Sequence, residues 1–272
     1  RCEGAPVPNV PLAPRPPPPP FVIPPATPDF SDQQFYREPG PEGFGFDEAK
    51  RWPGGTGIHT TIADLEYGFS PAHEDLSERD FLELGYPMDW YTFHGNGVLG
   101  ILGATDNGYG VTGLVPDSDL IVVSPFIERD EYNVAESIVL ATEHLEAGDV
   151  LLLEQQGWID SIFLPVEIDP AVFDAITLAV AKGIVVIEPT GNGGCELDPP
   201  AWDGWFDRSM RDSGAIIVGG GASPYSDYTP RSWFPMGSCF GDRVDVQGWF
   251  DSLVTTAAVD GHPQYTELFF PD

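Results

Sequence analysis

The sequence alternates short aliphatic runs with longer amphipathic stretches, and this alternation constrains the fold more than any other feature. Helical spacing is present at 97–104, 134–146 and 171–182. The apolar runs between them show little polar alternation, as is typical of strands covered on both faces. These runs lie at 58–63, 120–124, 150–153, 184–187 and 215–218. Repeated strand-helix-strand order predicts a mainly parallel central sheet with helices on both faces, a three-layer α/β/α fold.

Composition divides the chain into three segments. Residues 1–28 contain twelve prolines, which cannot enter sheet ladders or helix interiors, so they predict an extended spacer outside the core or a ligand for a proline-reading module. Residues 29–56 are mixed and aromatic, and we expect an arm packed on the main domain. Residues 57–272 carry the strand and helix alternation and form that domain.

Charge and hydropathy exclude two classes of partner. The chain has 12 basic and 43 acidic residues and a formal net charge of -31, which repels phosphate backbones and excludes nucleic acid. No apolar run reaches the ~18 residues of a membrane span. The sequence opens on Arg1 without an apolar leader core, so we expect a removed leader and a secreted or extracellular location.

Two further sequence patterns indicate a structural role and not a metal-binding or cofactor-binding one. Cys2, Cys195 and Cys239 allow one internal disulfide or buried free thiols, and both alternatives stay open because none has the paired spacing of a zinc site. The glycines at 108, 110 and 113 match a dinucleotide fingerprint, but they follow a helix and lead into a strand. We therefore interpret this segment as a turn.

Three polar residues follow predicted strands or open a helix. Asp64 ends the first strand, His94 precedes a glycine-rich helix, and Asn192 follows the strand at 184–187. The carboxyl ends of parallel strands meet at one edge of a sheet, so these side chains are expected to converge there. An acid, an imidazole and an amide donor make up most of an acyl-transfer site.

The order of these blocks resembles the subtilisin-like serine peptidases, the subtilases, over about residues 57–272. Asp64 and the His-x-Asp-Leu pattern that begins at His73 are similar to the block around the family's catalytic Asp. The segment His94-Gly-Asn-Gly-Val-Leu-Gly resembles the catalytic His block. Asn192, in Thr-Gly-Asn-Gly, resembles the residue that lines the family's oxyanion hole.

The resemblance implies a secreted serine endopeptidase that acts on peptides or proteins. Asp64 would orient His94, His94 would act as base, and Asn192 would donate to the oxyanion. The substrate would lie along two edges, one formed by Glu154, Gln155 and Gln156 and the other by Pro189, Thr190 and Gly191. The resemblance requires no cofactor, and calcium is compatible with it.

The family's Gly-Thr-Ser nucleophile block is absent from the printed sequence, and Ser238 lacks the expected setting. We therefore expect the serine on a downstream or separate fragment, in a unit of two polypeptides. The alternative is a non-catalytic, subtilase-like domain that binds peptides or partners without cleaving them.

Overall fold

The computed structural model describes residues 27–198, 200–232, 237–259 and 262–268, and its centre is a seven-stranded parallel sheet. The strands of the described residues are β1 Thr61–Leu65, β2 Phe81–Leu84, β3 Asp119–Val123, β4 Phe126–Glu128, β5 Glu131–Tyr132, β6 Val150–Leu153, β7 Gln156–Ile159, β8 Ile162–Pro165, β9 Val185–Pro189, β10 Ile216–Gly221, β11 Val246–Trp249, β12 Leu253–Val259 and β13 His262–Leu268. The central sheet has the order β11-β10-β9-β6-β1-β3-β2, and β4-β5, β7-β8 and β12-β13 form antiparallel hairpins.

Helices cover both faces of this sheet. The α-helices of the described residues are α1 Phe46–Ala49, α2 Phe93–Gly103, α3 Val134–Thr142 and α4 Pro170–Ala181, and short 3-10 helices lie at Ser31–Gln33, Phe35–Arg37, Val166–Ile168 and Pro200–Trp202. Apolar residues of α3 and α4 pack with Leu65 and Leu153 on one face, while Leu99 of α2 packs with Ile62 on the other. The predicted three-layer α/β/α fold is therefore confirmed.

Local signals explain the best-predicted helix. The carboxylate of Asp169 caps α4 by accepting from the backbone N–H of Ala171 at 2.8 Å, and Pro170 occupies the first turn. Gly183 follows with φ 88°, a left-handed conformation that favours glycine and ends the helix.

Strand boundaries differ from the sequence expectation where they matter most. The strand predicted at 150–153 is confirmed without change as β6, but the one predicted at 58–63 lies two to three residues later as β1. The edge strand β2 was missed, since edge strands are partly solvated and lack a continuous apolar run. The segment around Gly108 and Gly110 is a turn with positive φ, as expected.

Part of the segment at 29–56 is joined to the domain by buried polar contacts. Gln34 pairs with both backbone groups of Thr112 at 3.0 Å, and the Tyr36 hydroxyl donates to the carbonyl of Val254 at 3.0 Å. The predicted spacer at 1–28 and Cys2 lie almost wholly outside the described residues. Among the helices that the structure describes, none combines the length and apolarity that a membrane crossing requires.

Cys195 and Cys239 are thiols whose sulfur atoms lie 3.1 Å apart. We expect oxidised glutathione to join them, and closing this loop of 44 residues stabilises the fold by about 4 kcal/mol in the chain-entropy view. The measurement is mass spectrometry of tryptic peptides from the Cys2→Ser chain, together with Tm before and after oxidation. Cys195→Ser is the matched control and should show neither linkage nor a rise in Tm. Failure of the parent chain to form linked peptides would contradict the expectation.

Candidate active site

Two acidic side chains point to the same side of the sheet at the end of β1. Asp64 lies inside the strand, while Glu66 is the first residue beyond it, and residues two apart in a strand share a face. The backbone N–H of Glu66 still bonds to the carbonyl of Val123 at 2.9 Å. Glu66 is therefore held by the sheet although its side chain extends past the strand end.

His94 opens α2 and meets Glu66. Its Nδ1 lies 2.5 Å from Oε2 of Glu66, and Oε1 of Glu66 accepts from the backbone N–H of Tyr67 at 2.8 Å. Gly95 permits the approach, because a Cβ there would lie 2.3 Å from the carbonyl oxygen of Gly68 and 2.7 Å from Cγ of Glu66. The pair leaves Nε2 of the half-exposed His94 as the free ring nitrogen.

The side chain of Asn96 fixes the first turn of α2. Its side chain accepts from the N–H of Ser70 at 2.7 Å and donates to the carbonyl of Ser70 at 3.1 Å. The hydroxyls of Thr255 and Thr256 donate to the carbonyls of Gly97 and Asn96 at 2.7 and 2.5 Å. These hydrogen bonds hold the first turn of α2 between the loop after β1 and the hairpin strand β12.

The predicted contact between Asp64 and His94 is wrong. Asp64 is fully buried and neither of its carboxyl oxygens has a hydrogen-bond partner among the described residues. The predicted strand ended at residue 63, which placed Asp64 at the sheet edge, whereas β1 continues to Leu65. The two-residue shift keeps the same face but moves the edge position to Glu66.

The carboxyl groups of this cluster and the imidazole of His94 have shifted pKa values because they lie close together. Burial, and then the charges of Glu66 and Glu154, raise the pKa of Asp64 well above 3.8. Burial also raises the pKa of Glu154 to about 7, partly offset by His94. For His94, burial opposes the cation, but the hydrogen bond to Glu66 and the charges of Glu66 and Glu154 outweigh it and raise the pKa to about 9.

A cleft of about 540 Å³ opens beside His94 at the carboxyl ends of β6, β9 and β10. It brings Asn192 together with His94, as the sequence predicts. The backbone N–H of Asn192 donates to Oε1 of Gln156 at 2.9 Å, and Asn192 follows Gly191, whose φ of 82° turns the chain away from β9.

The residues predicted to bind substrate all line this cleft, and their role stays a prediction. They are Glu154, Gln155, Gln156, Pro189, Thr190 and Gly191. Gln155 accepts from the Tyr132 hydroxyl at 3.0 Å, so its side chain is already engaged. Gln156 and Gly157 pair with β8, which occupies one edge of the segment expected to pair with a peptide.

A second cavity of about 800 Å³ adjoins the cleft, and Gln156 lines both. Aromatic side chains surround it, namely Tyr67, Tyr132, Trp158 and Phe163. Trp158 is 69 % exposed, so an apolar surface is open next to the cleft.

Metal ligands are not grouped in the part of the chain that the structure describes. No set of three or more His, Cys, Asp or Glu side chains there could hold a metal ion.

Comparisons with known proteins point to one family. No protein-family model matches the chain. It is 29 % identical over 153 residues to the minor extracellular protease Epr of Bacillus subtilis, a match that covers 53 % of this chain and 22 % of that protein. The chain thus spans about a fifth of the length of this relative.

Solved structures share the fold at low identity. A protease from Pseudoalteromonas arctica gives a TM-score of 0.61 at 17 % identity, covering 89 % of this chain and 81 % of that one. The prenylagaramide maturation protease PagA gives 0.57 at 18 %, covering 82 % and 72 %. A cold-adapted subtilisin-like serine proteinase gives 0.54 at 16 %, covering 78 % and 70 %. The chain is thus similar in sequence to an extracellular protease and shares the fold of subtilisin-like proteases.

Proposed function

We propose that this chain supplies the acid, the base and the oxyanion donor of a secreted serine endopeptidase. The hydrogen bond between Glu66 and His94 at the mouth of a peptide-sized cleft carries the proposal. Glu66 keeps the proton of His94 on Nδ1, so Nε2 can take the proton of a serine hydroxyl and return it to the leaving amine. The amide of Asn192 donates to the oxyanion.

The nucleophilic serine is proposed to lie on a downstream or separate segment outside the printed sequence. Within the described cleft, the hydroxyl of Ser238 lies 2.9 Å from that of Thr190 and accepts from the N–H of Gly220 at 2.8 Å. No described serine is hydrogen-bonded to His94, which lines the open cleft and binds Glu66 through Nδ1.

The second cavity supports a peptide or protein as substrate. An extended peptide can place one side chain in the cleft beside His94 and another on the aromatic surface, because Gln156 lines both. The name of the extracellular relative supports an extracellular location for this chain as well.

A fluorophosphonate probe tests the proposal. In a preparation that includes the serine-bearing segment, the label should map to that segment, and His94→Ala should abolish it. A folded preparation that takes up no label, or labels equally without His94, would refute the peptidase. That result favours the alternative, a peptide-binding domain without catalysis, which agrees with the absence of a described serine partner for His94.

The pH dependence of activity follows from the charge on His94. Only neutral imidazole accepts a proton, and the pKa of His94 is raised to about 9. We therefore expect kcat/KM to rise with pH up to about 9, measured with a fluorogenic peptide. Glu66→Gln should shift the midpoint of this rise in kcat/KM toward pH 6.5, the ordinary pKa of histidine. A midpoint near pH 6.5 in the parent protein would contradict the proposed effect of Glu66 on the pKa of His94.

A further inference from the structure

One carboxylate in the cleft has no role in the proposed reaction. Glu154 is the first residue after β6, and its N–H bonds to the carbonyl of Leu65 at 3.2 Å. It lines the cleft beside His94, but within the described ranges its carboxylate makes no hydrogen bond and no ion pair within 4.0 Å. Ionised groups withdrawn from water are stable only with a partner of opposite charge.

The described cleft offers this carboxylate no cation that is not already paired with another group. Its charged lining side chains are His94, Glu154 and Glu188, without lysine or arginine. The imidazole of His94 is bound to Glu66. Glu188 is fully buried, with its Oε2 accepting from the backbone N–H of Glu167 at 3.3 Å, whereas Glu154 is partly exposed. Glu154 is therefore the acidic side chain that remains open to an incoming ligand.

The carboxyl of Asp64 is a second acidic group near the cleft without a hydrogen-bond partner among the described residues. This carboxyl is fully buried. Asp64 pairs with Leu152 of the neighbouring strand β6, and Leu152 lines the cleft. The charges of Glu66 and Glu154 raise the pKa of Asp64, so the three carboxyl groups lie close together. A ligand that brings a positive charge relieves this concentration of acidic groups.

The walls of the cleft suit a long side chain with a cationic end. The apolar wall of the cleft is formed by Leu152, Ile187 and Val218, which can contact methylene groups. The aromatic residues Trp249 and Phe250 also line the cleft. A guanidinium gains from an aromatic face as well as from a carboxylate. The volume of about 540 Å³ is sufficient for an arginine or lysine side chain.

We propose that Glu154 is a specificity-determining residue that selects peptides with an arginine or lysine side chain next to the scissile bond. This inference rests on the proposed function, because it assigns the substrate class of the same cleft. The cationic end pairs with Glu154, and the methylene stem packs on the apolar wall.

The test uses 4-aminobenzamidine, a fluorescent cation, and its neutral analogue 4-aminobenzamide, titrated into the printed chain. We expect the amidine to bind about 10- to 100-fold tighter than the amide. Glu154→Gln should remove this difference, whereas Glu143→Gln, an exposed carboxylate on the end of α3, should preserve it. Equal binding of the two probes to the parent chain would overturn the proposal without any variant.

A second experiment separates this inference from the proposed function. Peptides that differ only in the residue before the scissile bond are given to the preparation with the serine-bearing segment. Faster cleavage after arginine and lysine supports the role of Glu154, provided that Glu154→Gln loses it. Hydrolysis without that preference refutes the specificity and leaves the peptidase intact. Selective binding of the amidine without hydrolysis refutes the peptidase alone.

Discussion

Glu66→Gln is expected to lower kcat about 10⁴-fold in the preparation with the serine-bearing segment, because the amide no longer holds the proton of His94 on Nδ1. The change is isosteric, and Gln can still accept from the N–H of Tyr67, a bond of 2.8 Å in the parent. We therefore expect the fold, measured by circular dichroism, to be unchanged.

Asp64→Asn is the matched control for this prediction. Asp64 lies two residues away on the same face but contacts no polar partner among the described residues. Its replacement should leave kcat/KM close to the parent value and raise the free energy of unfolding near neutral pH, since it removes a buried acid. Loss of activity in Asp64→Asn with retention in Glu66→Gln would reverse the assignment.

Asn192→Ala is expected to lower kcat about 10²- to 10³-fold, equivalent to about 2.7–4 kcal/mol of transition-state stabilisation. Asn192 lines the cleft beside His94, and in the proposed role its amide donates only once negative charge develops on the substrate oxygen. KM should therefore change little, as steady-state kinetics can measure.

Asn192→Asp separates the donor from the shape of the side chain. The carboxylate fills the same volume without the N–H, so its kcat should fall at least as far as that of Asn192→Ala. A rise in KM with unchanged kcat in either variant would contradict an oxyanion role and indicate ground-state binding instead.

The sequence predicted the central layers of the fold because they depend on local periodicity. Continuous apolar runs identified β6 and β9, and the Asp169 and Pro170 start identified α4. The β12-β13 hairpin could not be predicted in this way, since its role depends on the packing of Thr255 and Thr256 against α2, about 160 residues earlier.

Local sequence patterns also predicted part of the candidate site. His94 and Asn192 stand in recognisable glycine-rich blocks and meet in one cleft. Whether Asp64 or Glu66 is the partner of His94 depends on the residue at which β1 ends. That residue is set by the pairing of β1 with β3 and β6 and not by the local composition. The missed signal is that Asp64 is enclosed by apolar residues, whereas Glu66 directly precedes the turn at Tyr67 and Gly68.

Coupling between His94 and Glu66 also sets how the pair contributes to stability. The folded-state pKa of about 9 lies above the ordinary value of 6.5. The stabilisation is therefore fully present below pH 6.5 and is lost as the pH rises through about 9. Glu66→Gln removes this dependence, whereas Asp64→Asn retains it.

The pKa of His94 in the printed chain, measured by NMR titration of its imidazole, tests the central claim most directly. The signal is assigned by its loss in His94→Ala among the five histidines of the sequence. We predict a pKa of about 9 in the parent and in Asp64→Asn, and a fall toward 6.5 in Glu66→Gln. An unchanged pKa in Glu66→Gln, together with a fall in Asp64→Asn, would contradict the assignment of Glu66 as the partner of His94.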